Sequence, residues 1–220
     1  MFSSLNGRLF ERIRLNCDFN YSIVAMGNDR MLDNIPAMQR SAPPHRRFSV
    51  VCRDVARSQA PGEHIPSIEE AVTLLNDAHR SETMFLPHTA ASLEDRLTTV
   101  PDYTTAHLLA AGSAVVGVRD HPVHVTVEDD HGRRGAVQET AVDAGCGPNG
   151  GDDLVALVGS WCTRLADEGV EELAIAASAG SPACEALANL GVSVDYAVNI
   201  FTSDPGGQST TAAYIDQALI

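Results

Sequence analysis

The residues with the most evident chemical potential lie in the run Gly145-Cys-Gly-Pro-Asn-Gly-Gly-Asp152. Glycines let a backbone approach a ligand closely, and a helix starting here would add free N–H groups and the positive end of its dipole. Together these form a device for holding phosphate. The run also matches G-x-G-x-x-G, but a dinucleotide site needs a buried strand before it and an acid at the far end of the next strand. Here the preceding Gln138-Glu139-Thr140 is polar, and Glu171 and Glu172 fall at the wrong end of the next apolar run, so that reading is set aside. Upstream, Glu139 is a candidate general base for an amine if partial burial raises its pKa; the alternative is a solvent-facing strand residue. His88 and Tyr103 stand in proline-punctuated loops, where they could contact an acceptor or a proton, or be ordinary surface residues.

Other clusters point less clearly to chemistry. His121, His124 and His131 crowd one hairpin with Asp120, Glu128 and Asp129. The acids fall in the turn, and His121 and His124, three apart on a strand, face opposite sides. A solvated turn is expected there, with no metal. The five cysteines are scattered and form no C-x-x-C pair, which predicts reduced, mostly buried thiols. Cys146 sits in the glycine-rich run, but nothing near it in sequence would lower its pKa for a covalent route. No nucleophile elbow, Walker loop or H-E-x-x-H is present.

The elements that must position these residues follow from periodicity and turn chemistry. Phe48–Arg53 suits a strand. Ser67-Ile-Glu-Glu70 is a capping box opening a helix to Ala78, and Ala90–Thr98 suits a second helix. His107–Val118, His121–Val127 and Gly135–Val142 read as three strands of an antiparallel meander. Leu154, Leu157, Val158, Trp161 and Leu165 mark one face of a long helix that ends at Gly169, with Trp161 expected in the core. A strand at Leu173–Ala177, a helix at Ser181–Leu190 and a strand at Val192–Thr202 complete an α/β (α+β) order of β-α-α-β-β-β-α-β-α-β.

The 220 residues can bury one full core. Residues 1–47 are expected to be an irregular or disordered segment, with a boundary near the Pro43–Arg47 run; 48–203 form the domain, and 204–220 a flexible tail. Charge is uneven. Residues 1–57 carry nine arginines against five acids, and the remainder six against twenty-four, with no lysine anywhere. An acidic body disfavours nucleic acid and anionic membranes as partners. No apolar run is long enough to span a bilayer, and charges interrupt any leader-like core, so a cytoplasmic protein is expected. The lysine-free acidic composition resembles that of salt-loving archaea; a GC-rich source without halophily is the alternative.

The element order and the closing pattern resemble the Gcn5-related N-acetyltransferase (GNAT) superfamily. Leu173–Val192 (LAIAASAGSPACEALANLGV) looks like its strand, N-P-A-type helix start and L-G-[FV] turn, with Ser181-Pro182-Ala183 and Leu190-Gly191-Val192 in those places. IEEAVTLLNDAH and the Phe85–Leu97 region look like its first two helices, which line the acceptor cleft. The resemblance implies an acyltransferase that moves an acetyl group from acetyl-CoA, as co-substrate, to a primary amine on a small molecule or peptide by direct attack. The cofactor arm would pair with the strand Gln138–Asp143, with Ala141, Val142 and Asp143 as contacts. The pyrophosphate would rest on Gly147, Asn149, Gly150 and Gly151. Glu139 would be the base, and Phe85, His88 and Tyr103 would face the acceptor. A homodimer built on the last strand is a further implication. The loop departs from the family's [QR]-x-x-G-x-[GA] by lacking Arg or Gln and by presenting Asp152 and Asp153, and Leu187 stands where many members carry an acid tyrosine. A catalytically silent binding or regulatory module on the same fold is therefore the alternative.

Overall fold

The computed structural model describes residues 21–25, 39–82, 85–98, 106–119, 125–128, 134–190 and 193–202. Among the described residues eight strands are present: β1 (Tyr21–Ala25), β2 (Gln39–Val51), β3 (Ala106–Ala111), β4 (Ala114–Arg119), β5 (Val125–Glu128), β6 (Arg134–Cys146), β7 (Glu172–Ser178) and β8 (Ser193–Thr202). Four α-helices accompany them: α1 (Ile68–His79), α2 (Ala90–Thr98), α3 (Gly151–Asp167) and α4 (Pro182–Asn189). The strands form one mixed sheet in the order β1-β8-β2-β7-β6-β4-β3, with β5 paired to β6. The α/β architecture and the four expected helices are as the periodicity requires. Among the described residues, no helix is long and apolar enough to cross a membrane.

Alternation along the central strands builds the layers. Leu108 and Val115 turn to one face and pack with Ala71 and Leu75 of α1 and Leu93 of α2. Their neighbours Leu109 and Val116 turn to the other, against Leu154, Leu157, Trp161 and Leu165 of α3. Trp161 is in the core as expected, and its indole Nε1 donates to the Val116 carbonyl at 3.2 Å. Ser67 caps α1 by accepting from the Glu70 N–H at 3.2 Å, while the Glu70 carboxylate pairs with His64 at 2.8 Å instead of closing the box.

The structure differs from the sequence reading at three places. His107–Val118 is not one strand but the β3–β4 hairpin, turned at Gly112-Ser113 with Gly112 at φ +53°. Gly112 and Ser113 break the apolar run at its middle and make the turn. The strand expected at Gly135–Val142 runs from Arg134 to Cys146, up to the glycine loop. Most notably, β1 and the first part of β2 lie before Phe48, where the sequence shows no period. β2 is a central strand, antiparallel to both β7 (Phe48 opposite Ile175) and β8 (Arg47 opposite Tyr196). Its side chains before Phe48 include the buried His45, the exposed Arg46 and the half-buried Arg47, so no apolar period marks the strand there. β8 is flanked on its two sides by β1 and β2.

One close approach fixes α1 on the sheet. A Cβ placed on Gly145 of β6 would lie 2.7 Å from Ala78 Cβ and 3.1 Å from His79 Nε2, so only glycine lets the end of α1 sit this close. Gly145→Ala is expected to destabilise the fold by about 1–3 kcal/mol, the usual effect of overpacking a tight contact. Urea denaturation measures it, and an unchanged midpoint would show that the helix moves aside freely.

Candidate active site between the parted strands

β6 and β7 pair in parallel at only three positions, Gln138 with Glu172, Glu139 with Leu173 and Thr140 with Ala174. Beyond Thr140, β6 stays paired with β4 as far as Cys146, and β7 stays paired with β2 as far as Ser178. The two strands therefore part, each held by its outer neighbour, and the gap leads to the glycine loop and the start of α3.

Polar side chains fill the head of this gap. His79, the last residue of α1, places Nε2 3.2 Å from Asp143 Oδ1 on β6 and Nδ1 3.3 Å from Glu82 Oε1 in the turn that follows. The side chains of all three are at least nine-tenths buried. The Asp143 carboxylate also accepts from the Ala144 N–H at 2.9 Å. His45 of β2, opposite Ser178 of β7, completes the cluster. Burial alone would push His79 towards neutrality, but Asp143 and Glu82 more than reverse this and raise its pKa to about 10. His45 goes the other way: burial, with the neighbouring His79 cation, lowers it to about 4, so it is neutral at ordinary pH. The space left among these groups is about 10 Å³, enough for one water.

The glycine loop is built differently from a simple cradle. Gly147 N–H donates to the Ser113 carbonyl at 3.0 Å, and Gly150 N–H to the Gly147 carbonyl at 2.9 Å. Two of the four N–H groups expected to face phosphate, those of Gly147 and Gly150, are thus taken up by the β3–β4 turn and by the loop itself. A Cβ on Gly150 would overlap Ser113 Oγ, so this glycine serves close packing against the β3–β4 turn. The Asp153 carboxylate accepts from the Ser113 N–H at 3.4 Å, and so turns towards that hairpin. The first-turn N–H groups of Gly151, Asp152 and Asp153 have no intrahelical partner, and Gly150 at the N-cap supplies no side-chain acceptor. Two grooves flank the loop. One, of about 180 Å³, lies between α3 and α4 beside Gly151, Asp152 and Asn189. The other, of about 250 Å³, lies beside Gly147, Asn149 and Arg80, which follows α1.

Of the sequence candidates, Ala141 and Asp143 are buried on β6 past the parting point, and the Val142 backbone lies between them. Glu139 occupies the middle of the three paired positions. Phe85 and His88 come together: the Phe85 ring lies 5.4 Å from that of His79 and 5.6 Å from that of His88. Asn76 of α1 clamps the loop by bonding both the N–H and the C=O of His88. Tyr103 and most of the His121–His131 hairpin lie outside the described residues. Sequence reasoning missed His45, His79, Glu82 and Arg80. A signal existed for His79, which follows Ala71, Leu75 and Ala78 on the buried stripe of α1. Cys146 is buried, and burial together with Asp153 raises its thiol to about 11, against any nucleophilic role. Among the described residues, no group of His, Cys, Asp or Glu is arranged to hold a metal.

No family model matches the chain, and no curated protein matches it. Solved structures do. The chain is similar to a GCN5-related N-acetyltransferase from Sphaerobacter thermophilus at 10% identity and TM-score 0.53, over 89% of this chain and 64% of that one. A GCN5-related N-acetyltransferase from Anabaena variabilis matches at 11% identity and TM-score 0.47, over 91% of this chain and 50% of that one. Eis1 from Mycobacterium abscessus matches at 12% identity and TM-score 0.48, over 92% and 51%. The chain thus spans about half to two thirds of the length of these proteins. The Sphaerobacter protein supports the acetyltransferase fold, at an identity that speaks to fold alone.

The opposed shifts of the two histidines set a stability profile. His45 binds its proton more readily unfolded, so its contribution is lost as pH falls from about 6.5 towards 4. His79 binds its proton more readily folded, so its contribution is complete below pH 6.5 and lost as pH rises towards 10. Denaturation across pH should show stability falling on both sides of pH 6.5. In His79→Gln the alkaline fall should flatten by about 1.4 kcal/mol per pH unit. An unchanged alkaline limb would mean that His79 is not held charged.

Proposed function

We propose that the chain is an N-acetyltransferase that moves the acetyl group of acetyl-CoA to a primary amine. The observation that carries this reading is the parting of β6 from β7 past Thr140, in a gap that ends at a glycine loop and a helix start. The backbone of Ala141, Val142 and Asp143 would pair with the cofactor arm as an added strand would. The diphosphate would meet the α3 N-terminus at Gly151, with Gly147, Asn149 and Gly150 shaping the approach. Arg80, in the groove beside Gly147 and Asn149, would supply the positive charge that the loop itself lacks. Glu139, at the parting point, would take the proton of the amine, directly or through water. The amine nitrogen would then attack the thioester carbon while a backbone N–H of β6 polarises the carbonyl, and the C–S bond would break as the leaving thiolate takes the second proton from the nitrogen. Phe85, His88 and Tyr103 would face the acceptor.

A second reading, a catalytically silent module on the same fold, is favoured by one observation. The head of the gap is closed by His45, His79 and Asp143, so an acyl arm must displace them. A cytoplasmic, halophilic setting and a homodimer remain part of the first reading as expectations from composition and resemblance.

Calorimetry on the full chain, β2 being integral to the sheet, separates the two. Acetyl-CoA is expected to bind with micromolar affinity, and more tightly in molar KCl, where repulsion from Asp152 is screened within about 3 Å. Absence of binding at either salt by a folded protein would leave the silent module. If binding is found, Glu139→Gln should lower kcat by about 10²-fold or more with little change in cofactor affinity; an unaltered kcat would remove Glu139 from the mechanism.

A further inference from the structure

Two thiols that the candidate active site does not use meet between the end of β2 and α3. β2 runs into a short 3-10 turn, Cys52–Asp54, whose first N–H donates to the Glu171 carbonyl at 2.8 Å. The Cys52 thiol is directed at the Val50 carbonyl, 3.9 Å away, and its sulfur accepts the S–H of Cys162 on α3. Both side chains lie in the main core, and both are free thiols.

The chain that follows holds this meeting in register. Residues 55–63 lie along α3. Ala60 N–H donates to Ser160 Oγ at 2.7 Å, Ser58 N–H to Thr163 Oγ1 at 3.3 Å, and Arg164 pairs with the Glu63 carboxylate at 2.6 Å. A Cβ on Gly159 would lie 2.7 Å from Ser58 Oγ, so glycine lets this strap come close to the helix. Anchors at Ser160 and Thr163 bracket Cys162 and keep the two thiols together, although half the chain separates them in sequence.

The two sulfurs are not equivalent. The bond from the Cys162 S–H lowers the pKa of Cys52, while the same bond and burial raise that of Cys162, so Cys52 is the first to yield its proton. Cys52 is also the more accessible, 3% exposed against 0%, beside the exposed Arg53 and Asp54. So narrow an opening excludes a bulky disulfide such as oxidised glutathione and suits an oxidant near the size of water.

We propose that Cys52 and Cys162 are a redox modification site, at which hydrogen peroxide joins two thiols as a disulfide. The Cys52 thiolate attacks one peroxide oxygen and the O–O bond breaks. The departing hydroxide takes up the proton that Cys52 lost and leaves as water, and Cys52 becomes a sulfenic acid. The Cys162 sulfur then attacks the Cys52 sulfur, the S–O bond breaks, and the Cys162 proton leaves with the hydroxyl as a second water. Two electrons pass from the thiols to the peroxide. The disulfide closes a loop of half the chain, which restricts the unfolded state, and it fastens β2 to the helix that starts at the glycine loop. None of this depends on the transferase reading.

The test exposes the folded full chain to hydrogen peroxide, alkylates the remaining thiols in urea, and maps peptides cut after arginine and after Trp161. These cuts place Cys146 and Cys162 on separate pieces. A bridged pair carrying Cys52 and Cys162, lighter than the two free peptides by two hydrogens, is expected, with Cys146 and Cys184 still alkylated. The urea midpoint should rise on oxidation and return with dithiothreitol. In Cys162→Ser, Cys52 should stop at the sulfenic acid and be captured by dimedone. If that variant does not fold, a brief peroxide pulse on the unaltered chain should give dimedone label on Cys52 ahead of Cys162. A bridge that forms only in urea, or Cys52 and Cys162 both still alkylated once the methionines have oxidised, would overturn the site.

Discussion

The separation of β6 from β7 after Thr140 is the constraint on which the rest of the structure depends. Backbone polar groups inside a protein require partners, so two central strands cannot part without outer neighbours to hold them. β4 holds β6 as far as Cys146, and β2 holds β7 as far as Ser178. α1 and α2 cover one face of the β3–β4–β6 half, and α3 backs the other face in a core that also takes in Phe48, Val50, Leu173 and Ile175 of the second half. Gly145 lets the end of α1 come down on β6 at the parted region, and that descent brings His79 to Asp143. A buried ion pair of this kind adds little net stability over an apolar filling, but its geometry ties α1 to one position on β6.

The same parting explains why the glycine loop looks as it does. β6 must stop, turn and release α3 within a few residues, while the β3–β4 turn presses against it. Ser113 meets the loop through the N–H of Gly147, and Asp153 reaches back to the N–H of Ser113. The loop is therefore braced by the hairpin, and its aspartate belongs to that brace. The arginine near the loop is Arg80, contributed by an element far away in sequence and set 3.9 Å from Asp77 in the same groove.

The sequence made some of this legible and concealed the rest for physical reasons. Helices α1, α3 and α4 announced themselves by an apolar stripe and by caps at Ser67 and Ser181, both of which accept the expected backbone N–H. The glycine loop was visible because glycine runs are rare and have a backbone meaning. The direction of its N–H groups was not, since that depends on Ser113, thirty-odd residues upstream. β2 was hidden because its first part carries His45, Arg46 and Arg47 in place of an apolar period, and because Pro43 and Pro44 look like a boundary while in fact marking irregular pairing with β8. The cluster at the head of the gap draws on β2, the end of α1, the following turn and β6. No spacing along the chain could have gathered His45, His79, Glu82 and Asp143 into one place.

The position of β2 also bears on how the chain reaches its final form. Its partners, Glu172–Ser178 and Ser193–Thr202, are separated from it by more than half of the sequence. During synthesis at about 5–20 residues per second, β2 leaves the ribosome on the order of ten seconds before β7 exists. For that interval its apolar stretch Phe48-Ser-Val-Val51 has both edges unpaired and both faces bare. The hairpin of β3 and β4 and the helices packed on it can form early from local contacts, whereas the central slot closes last. The sheet is thus completed by insertion of one of its early-made strands between its two latest-made ones, a sequence of events in which the arginines at 46 and 47 keep a waiting strand soluble.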